Sequence, residues 1–145
     1  MPRRSADSAA TATSTLRLGL PWGAMTVVLV ALHALPGSEL EGQDWWMAWR
    51  LDLVLHALLF GMWSVSGLVA LRKSDRASVF CRQAWPLVVV TGLVLAVGLE
   101  LAQSSIFQGR GRDAADGLAD VFGLMGGGIA FRALYLEWPV GKRTL

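Results

Sequence analysis

The sequence predicts an all-α integral membrane protein, a bundle of four transmembrane helices with both termini in the cytoplasm. Three observations lead there. Of the 145 residues 54% are hydrophobic and only 17% charged, against about 25% charged in an ordinary soluble domain. The apolar residues gather in four runs, three of them reaching the ~20 residues that a helix needs to cross a bilayer. Lys and Arg crowd into alternate links between the runs, which is how the positive-inside rule sets orientation.

Residues 1–15, small and polar with Arg3 and Arg4, read as a disordered cytoplasmic tail. One membrane domain, about 16–138, follows. Its first span covers about 18–35 and stops at Pro36-Gly37. This run is the shortest. Its basic start, apolar core and Ala31-Leu32-His33-Ala34 also fit a cleaved signal peptide, the rival reading of the segment. A link with Glu39, Glu41, Asp44, Trp45, Trp46 and Trp49 leads to the second span, about 51–71. A basic loop precedes the third, about 84–107. The link GRGRDAAD opens the fourth, about 116–136, and residues 139–145 form a cytoplasmic tail. No internal repeat is visible. Cys81 is the single cysteine, so no internal disulfide can form, and it reads as a small apolar filler.

Arg3, Arg4 and Arg17 before the first span, Arg72, Lys73, Arg76 and Arg82 in the middle loop, and Lys142 and Arg143 in the tail mark the cytoplasmic side. Only Arg50, and then Arg110 and Arg112, occupy the other two links. Arg132 lies near enough to the inner face to snorkel towards it. Trp22, Trp85 and Trp138 fall at inner segment ends, and Trp45, Trp46 and Trp49 at the outer face, the depth that suits a ring with a polar N–H. The net charge of +2 and pI near 9.2 arise from these scattered residues and form no single patch, so no nucleic-acid partner is expected.

That topology gathers the embedded polar residues at the outer edge. Asp52 and His56 open the second span, four residues apart and hence on one helix face. Glu100 and Gln103, three apart, close the third. Arg110, Arg112 and Asp113 fill the next link, and Asp116 and Asp120 open the fourth span. At 100° per residue Asp113, Asp116, Asp120, Gly123 and Gly127 fall within a stripe of about 80°. Its glycine end suits close helix packing, so the acids point into the bundle. Each ionisable group costs roughly 2.5–3.5 kcal/mol to insert, which demands partners. The free N–H groups that open the fourth helix favour an anion.

These nine residues, Asp52 to Asp120, are the ligand-binding candidates. The competing reading is structural: a polar lock of salt bridges and caps, with Asp116 as an N-cap. His33 near the outer end of the first span is a weaker candidate, since a lone membrane histidine often only bonds a neighbouring helix. Gly126-Gly127-Gly128 is packing and not a phosphate loop. No spacing of a known metal motif is present, although Glu100, Asp116 and His56 are the set that an ion would use. No cofactor is expected.

The pattern Leu51-Asp52-x-x-x-His56, then Glu100-x-x-Gln103, Gly109-Arg110 and Asp116-x-x-x-Asp120-x-x-Gly123, resembles the VanZ-like family over roughly residues 50–130. The resemblance implies a multi-pass protein of the bacterial cytoplasmic membrane, in a family named for resistance to teicoplanin. Leu53 stands where that family usually has Lys, and Asp120 where it usually has Asn, so this site is more acidic.

Three functional readings follow. The first is an envelope protein whose outer cavity binds a lipid head group or a lipid-linked cell-wall precursor. The second is an enzyme on an extracytoplasmic lipid-linked phosphate, with His56 as acid or base. It lacks a nucleophile, because no base is spaced to activate Ser104 or Ser105, and catalysis is the less favoured of the two. The third is a passive assembly partner. Transport is least favoured, because no polar residues continue to the inner half. The oligomeric state is not legible.

Overall fold

The computed structural model describes residues 3–34, 50–73, 79–105 and 114–136, with side chains from Arg17 onward except that of Ser104. All of it is helix and short turns: α1 (Arg3–His33), α2 (Leu51–Lys73), α3 (Val79–Arg82), α4 (Ala84–Ser105) and α5 (Ala114–Tyr135). Among the described residues, three segments are long and apolar enough to cross a membrane: α2 with 23 residues, Ala84–Gln103 of α4 with 20, and α5 with 22. The apolar part of α1, Arg17–His33, is shorter. Their outward faces carry large apolar side chains; Val94 is 69% exposed, Phe122 74% and Ile129 70%. Such continuous apolar surface is the mark of a helix bundle made for lipid.

α1 starts at Arg3, so residues 3–15, expected as a disordered tail, continue the helix. The run Ala9-Ala10-Thr11-Ala12 has no glycine or proline to stop it, and alanine is the best helix former. The other boundaries move by three residues or fewer at the described ends. α5 ends on Leu136, whose positive φ of 55° and N–H bond to the Arg132 carbonyl at 2.9 Å make an αL cap.

Side-chain pairs set the helix directions. Along α1 and α2, a Cβ at Gly67 would meet the Trp22 indole, Trp63 Nε1 donates to Thr26 Oγ1 at 2.9 Å, and His33 lies against His56; the two helices are antiparallel. Along α2 and α5, His56 meets Asp120, Ser64 Oγ donates to the Leu124 carbonyl at 3.0 Å, and Lys73 Nζ lies 4.8 Å from the Tyr135 ring centre. These helices are parallel. α4 runs against both, with Val88 near Gly67, Gly92 against Trp63 and Leu124, and Trp85 on Gly128. The start of α2, the start of α5, and the ends of α1 and α4 therefore share one end of the bundle.

The largest interface joins α2 to α5. A Cβ at Gly123 would collide with the Ala57 carbonyl, and one at Gly127 would fall 2.6 Å from the Gly61 carbonyl oxygen and 2.5 Å from Ser64 Cβ. Only hydrogen at these positions lets the two backbones touch. Trp22 and Trp85 serve the packing too: Trp22 tilts against Trp63 with ring centres 5.4 Å apart. The sequence reading of these two as interfacial anchors is thus incomplete, because small residues opposite give each ring a slot inside the bundle. Trp45, Trp46, Trp49 and Trp138 lie outside the described residues.

At the opposite end Arg72, expected in a basic loop, is the last residue but one of α2 and only 2% exposed. Its Nη1 donates to the Cys81 carbonyl at 3.3 Å, while the Cys81 thiol bonds the Arg72 carbonyl at 3.6 Å. This reciprocal pair pins the short α3 back onto α2. Cys81 is buried, but it is a hydrogen-bonding group as well as a filler.

Gly127→Val overpacks the α2–α5 contact and should cost about 1–3 kcal/mol, read as a lowered Tm in detergent. Gly126→Ala, where a Cβ meets nothing within 4 Å, should leave Tm unchanged. Equal melting of both variants would refute close backbone packing.

Candidate functional site

The shared end is polar because each helix contributes a residue from its terminal turns. On α2, Asp52 sits in the first turn, partly exposed, with Arg50 Nε 3.7 Å from its Oδ1. One turn further on the same face, His56 is buried at 6% exposure. On α5, Asp116 lies within the first turn. The helix begins two residues earlier, at Ala114, so Asp116 is not the N-cap that the structural reading assigned to it. Its carboxylate still faces the positive end of the helix dipole. Asp120, one turn on, is completely buried.

His56 Nδ1 and Asp120 Oδ1 are 2.8 Å apart. This is the central contact of the site. It joins the two parallel helices at one depth, in surroundings of low dielectric where a hydrogen bond is strong and an isolated charge costly. Asp120 Oδ2 is also buried, and no described residue donates to it.

α1 closes the site from the side. His33, its last residue, is 4% exposed. Its ring stands edge-on to His56 with centres 4.9 Å apart at 75°, and Phe60 packs against it at 6.3 Å. Nδ1 of His33 is 2.8 Å from the Leu29 carbonyl. A carbonyl only accepts, so Nδ1 carries a proton, and in the neutral form of the ring the lone pair is then on Nε2. α4 adds Gln103, buried, whose Nε2 donates to the His33 carbonyl at 3.3 Å. Glu100, half-buried, lies one turn before it with Oε1 inside.

Of the nine candidates, Asp52, His56, Glu100, Gln103, Asp116 and Asp120 therefore lie at one end of the bundle, and His56 with Asp120 are in direct contact. Arg110, Arg112 and Asp113 lie outside the described residues. The residue undervalued by sequence reasoning is His33. It lies on a different helix, 23 positions before His56 (56 − 33). The available signal was its place in the last turn of a helix ending where the others begin.

Beside this site α2 and α5 form a lipid-facing apolar groove of about 610 Å³. It starts at Ala57 and Gly123, next to the His56–Asp120 contact, and runs past Gly61, Met62 and Gly126 to Leu134.

No protein-family model, curated protein or solved structure matches the chain.

Removing one partner of a buried pair strands the other. Asp120→Ala should destabilise the bundle by about 3 kcal/mol, measured by SDS titration in mixed micelles. His56→Leu with Asp120→Leu should cost less than the sum of the two single changes. Strict additivity would mean that the contact carries no coupling energy.

Proposed function

We propose that the chain is a VanZ-like multi-pass protein of the bacterial cytoplasmic membrane that binds an anionic lipid head group or lipid-linked cell-wall precursor at its outer polar end. The carrying observation is the adjacency of a polar cluster to an apolar groove open to lipid, both built on the α2–α5 pair. A head group needs hydrogen-bond donors and its chain needs an apolar trough. The groove supplies the second, and the free N–H groups at the start of α5 supply donors, with Arg110 and Arg112 as the cations of the adjoining link.

α1 serves as a fourth span in this reading, with both termini inside. Its course beside α2 from the level of Gly67 to that of His56 supports this, since it follows α2 through most of the apolar depth. The Lys and Arg distribution supports the orientation. In a Cys81→Ala background, a membrane-impermeant maleimide added to intact cells should label a cysteine at Ser38 or Gln108 and spare one at Ser74. The reverse pattern would invert the protein.

The His56–Asp120 contact favours one alternative, an enzyme on an extracytoplasmic lipid-linked phosphate. A carboxylate that orients a histidine is the usual support for a general base.

Native mass spectrometry of the full chain released from nanodiscs tests the binding reading, with phosphatidylglycerol and a polyprenyl phosphate offered against phosphatidylcholine. The wild type should retain the phosphate lipids. Arg110→Ala should weaken retention about tenfold, the loss of one charge-assisted hydrogen bond, at normal expression. Glu100→Ala should change which lipid is retained. Indifference of both variants to lipid class removes the pocket from the function.

A further inference from the structure

We infer that His33, His56 and Asp120 form a site for a divalent transition-metal ion, with Zn²⁺ the best match to the donors. The three come from α1, α2 and α5, all are buried, and one ligand atom from each lies within 4.8 Å of the other two.

Two features beyond proximity point to a cation. Asp120 is fully buried, yet its Oδ2 meets no donor among the described residues. A buried carboxylate oxygen at this depth is satisfied by a proton, an ordered water or a cation, and a cation can also draw in the neighbouring histidines. The second feature is the state of His33. Its Nδ1–H is held by the Leu29 carbonyl at 2.8 Å, which orients the ring and, in its neutral form, puts the lone pair on Nε2. Metal-binding histidines are oriented in this way, by a backbone carbonyl or carboxylate on the other nitrogen. Gln103, bonded to the His33 carbonyl at 3.3 Å, steadies the same turn.

The geometry requires modest adjustment. Ligands at about 2.0–2.1 Å from a tetrahedral zinc are about 3.3 Å from each other, so the three donors must close by at most about 1.5 Å. Side-chain rotation covers that distance without moving a helix. Two imidazoles and one carboxylate leave a fourth position open, the arrangement of zinc sites that bind an exchangeable ligand rather than purely structural ones. Two nitrogen donors and one oxygen favour Zn²⁺ over Mg²⁺ or Ca²⁺, which prefer all-oxygen shells. No bound head group is needed to hold the ion, so its presence is separable from lipid binding.

The test uses the full-length chain in detergent micelles, stripped with chelator and dialysed against buffered Zn²⁺ or Co²⁺ alone. The wild type should take up one ion per chain, gain Tm with metal, and show the visible bands of four-coordinate Co²⁺. X-ray absorption of the zinc form should give two imidazoles and oxygen, with no sulfur. His33→Gln and His56→Gln should each weaken binding by more than about 100-fold, beyond the roughly 10–100-fold cost of losing an outer-shell partner. A wild type without stoichiometric metal overturns the site. So does a zinc shell lacking imidazole, a result that is readable even if the variants fail to fold. Folded variants that bind as the wild type does place the ion elsewhere and overturn it too.

Discussion

The close contact of α2 with α5 is the constraint on which the polar end depends. Glycines at 61, 123 and 127 bring the two backbones together, and only at that separation can His56 on one helix reach Asp120 on the other at 2.8 Å. A single methyl group between the helices would lengthen a bond that lipid cannot replace. The small residues and the acidic ones on α5 are thus parts of one arrangement. Glycine sets the distance, and the polar pair exploits it.

The same stripe that packs the helices also shapes the outside. Where side chains are absent the helix pair leaves a trough, and the apolar groove from Ala57 to Leu134 follows it. An apolar trough and a closely held polar pair thereby arise from the same few positions. At the other end Arg72 and Cys81 perform a simpler task, tying a short turn to the end of α2.

Much of this was legible in the residues. Apart from the start of α1, lengths of apolar runs predicted the described helix ends to within a few positions, because a span must be long and continuous whatever its neighbours do. The i, i+4 pairing of Asp52 with His56 and the stripe from Asp116 to Gly127 predicted which faces turn inward. Pairing between helices was not legible. Nothing in the spacing says that His56 selects Asp120 rather than Asp116, or that His33 joins them, since such contacts depend on rotation and depth of whole helices. Arg72 was misread for a related reason. A basic residue after an apolar run reads as a loop, and only the fold supplies the Cys81 carbonyl that allows it to be buried. The start of α1 was missed because weak polarity reads as disorder, whereas an alanine-rich segment can continue a helix already begun.

The parallel course of α2 and α5 also has a bearing on how the chain is made. His56 and Asp120 are 64 residues apart, with the whole of α4 between them. At roughly 5–20 residues per second, synthesis leaves His56 waiting about 3–13 s after it emerges before its partner exists. During that interval α2 sits in the bilayer with Gly61 not yet packed on α5 and with the Asp120 partner of its histidine still missing. The nascent protein is then a set of spans already inserted but not yet a bundle, exposed to membrane chaperones and proteases until the last helix arrives.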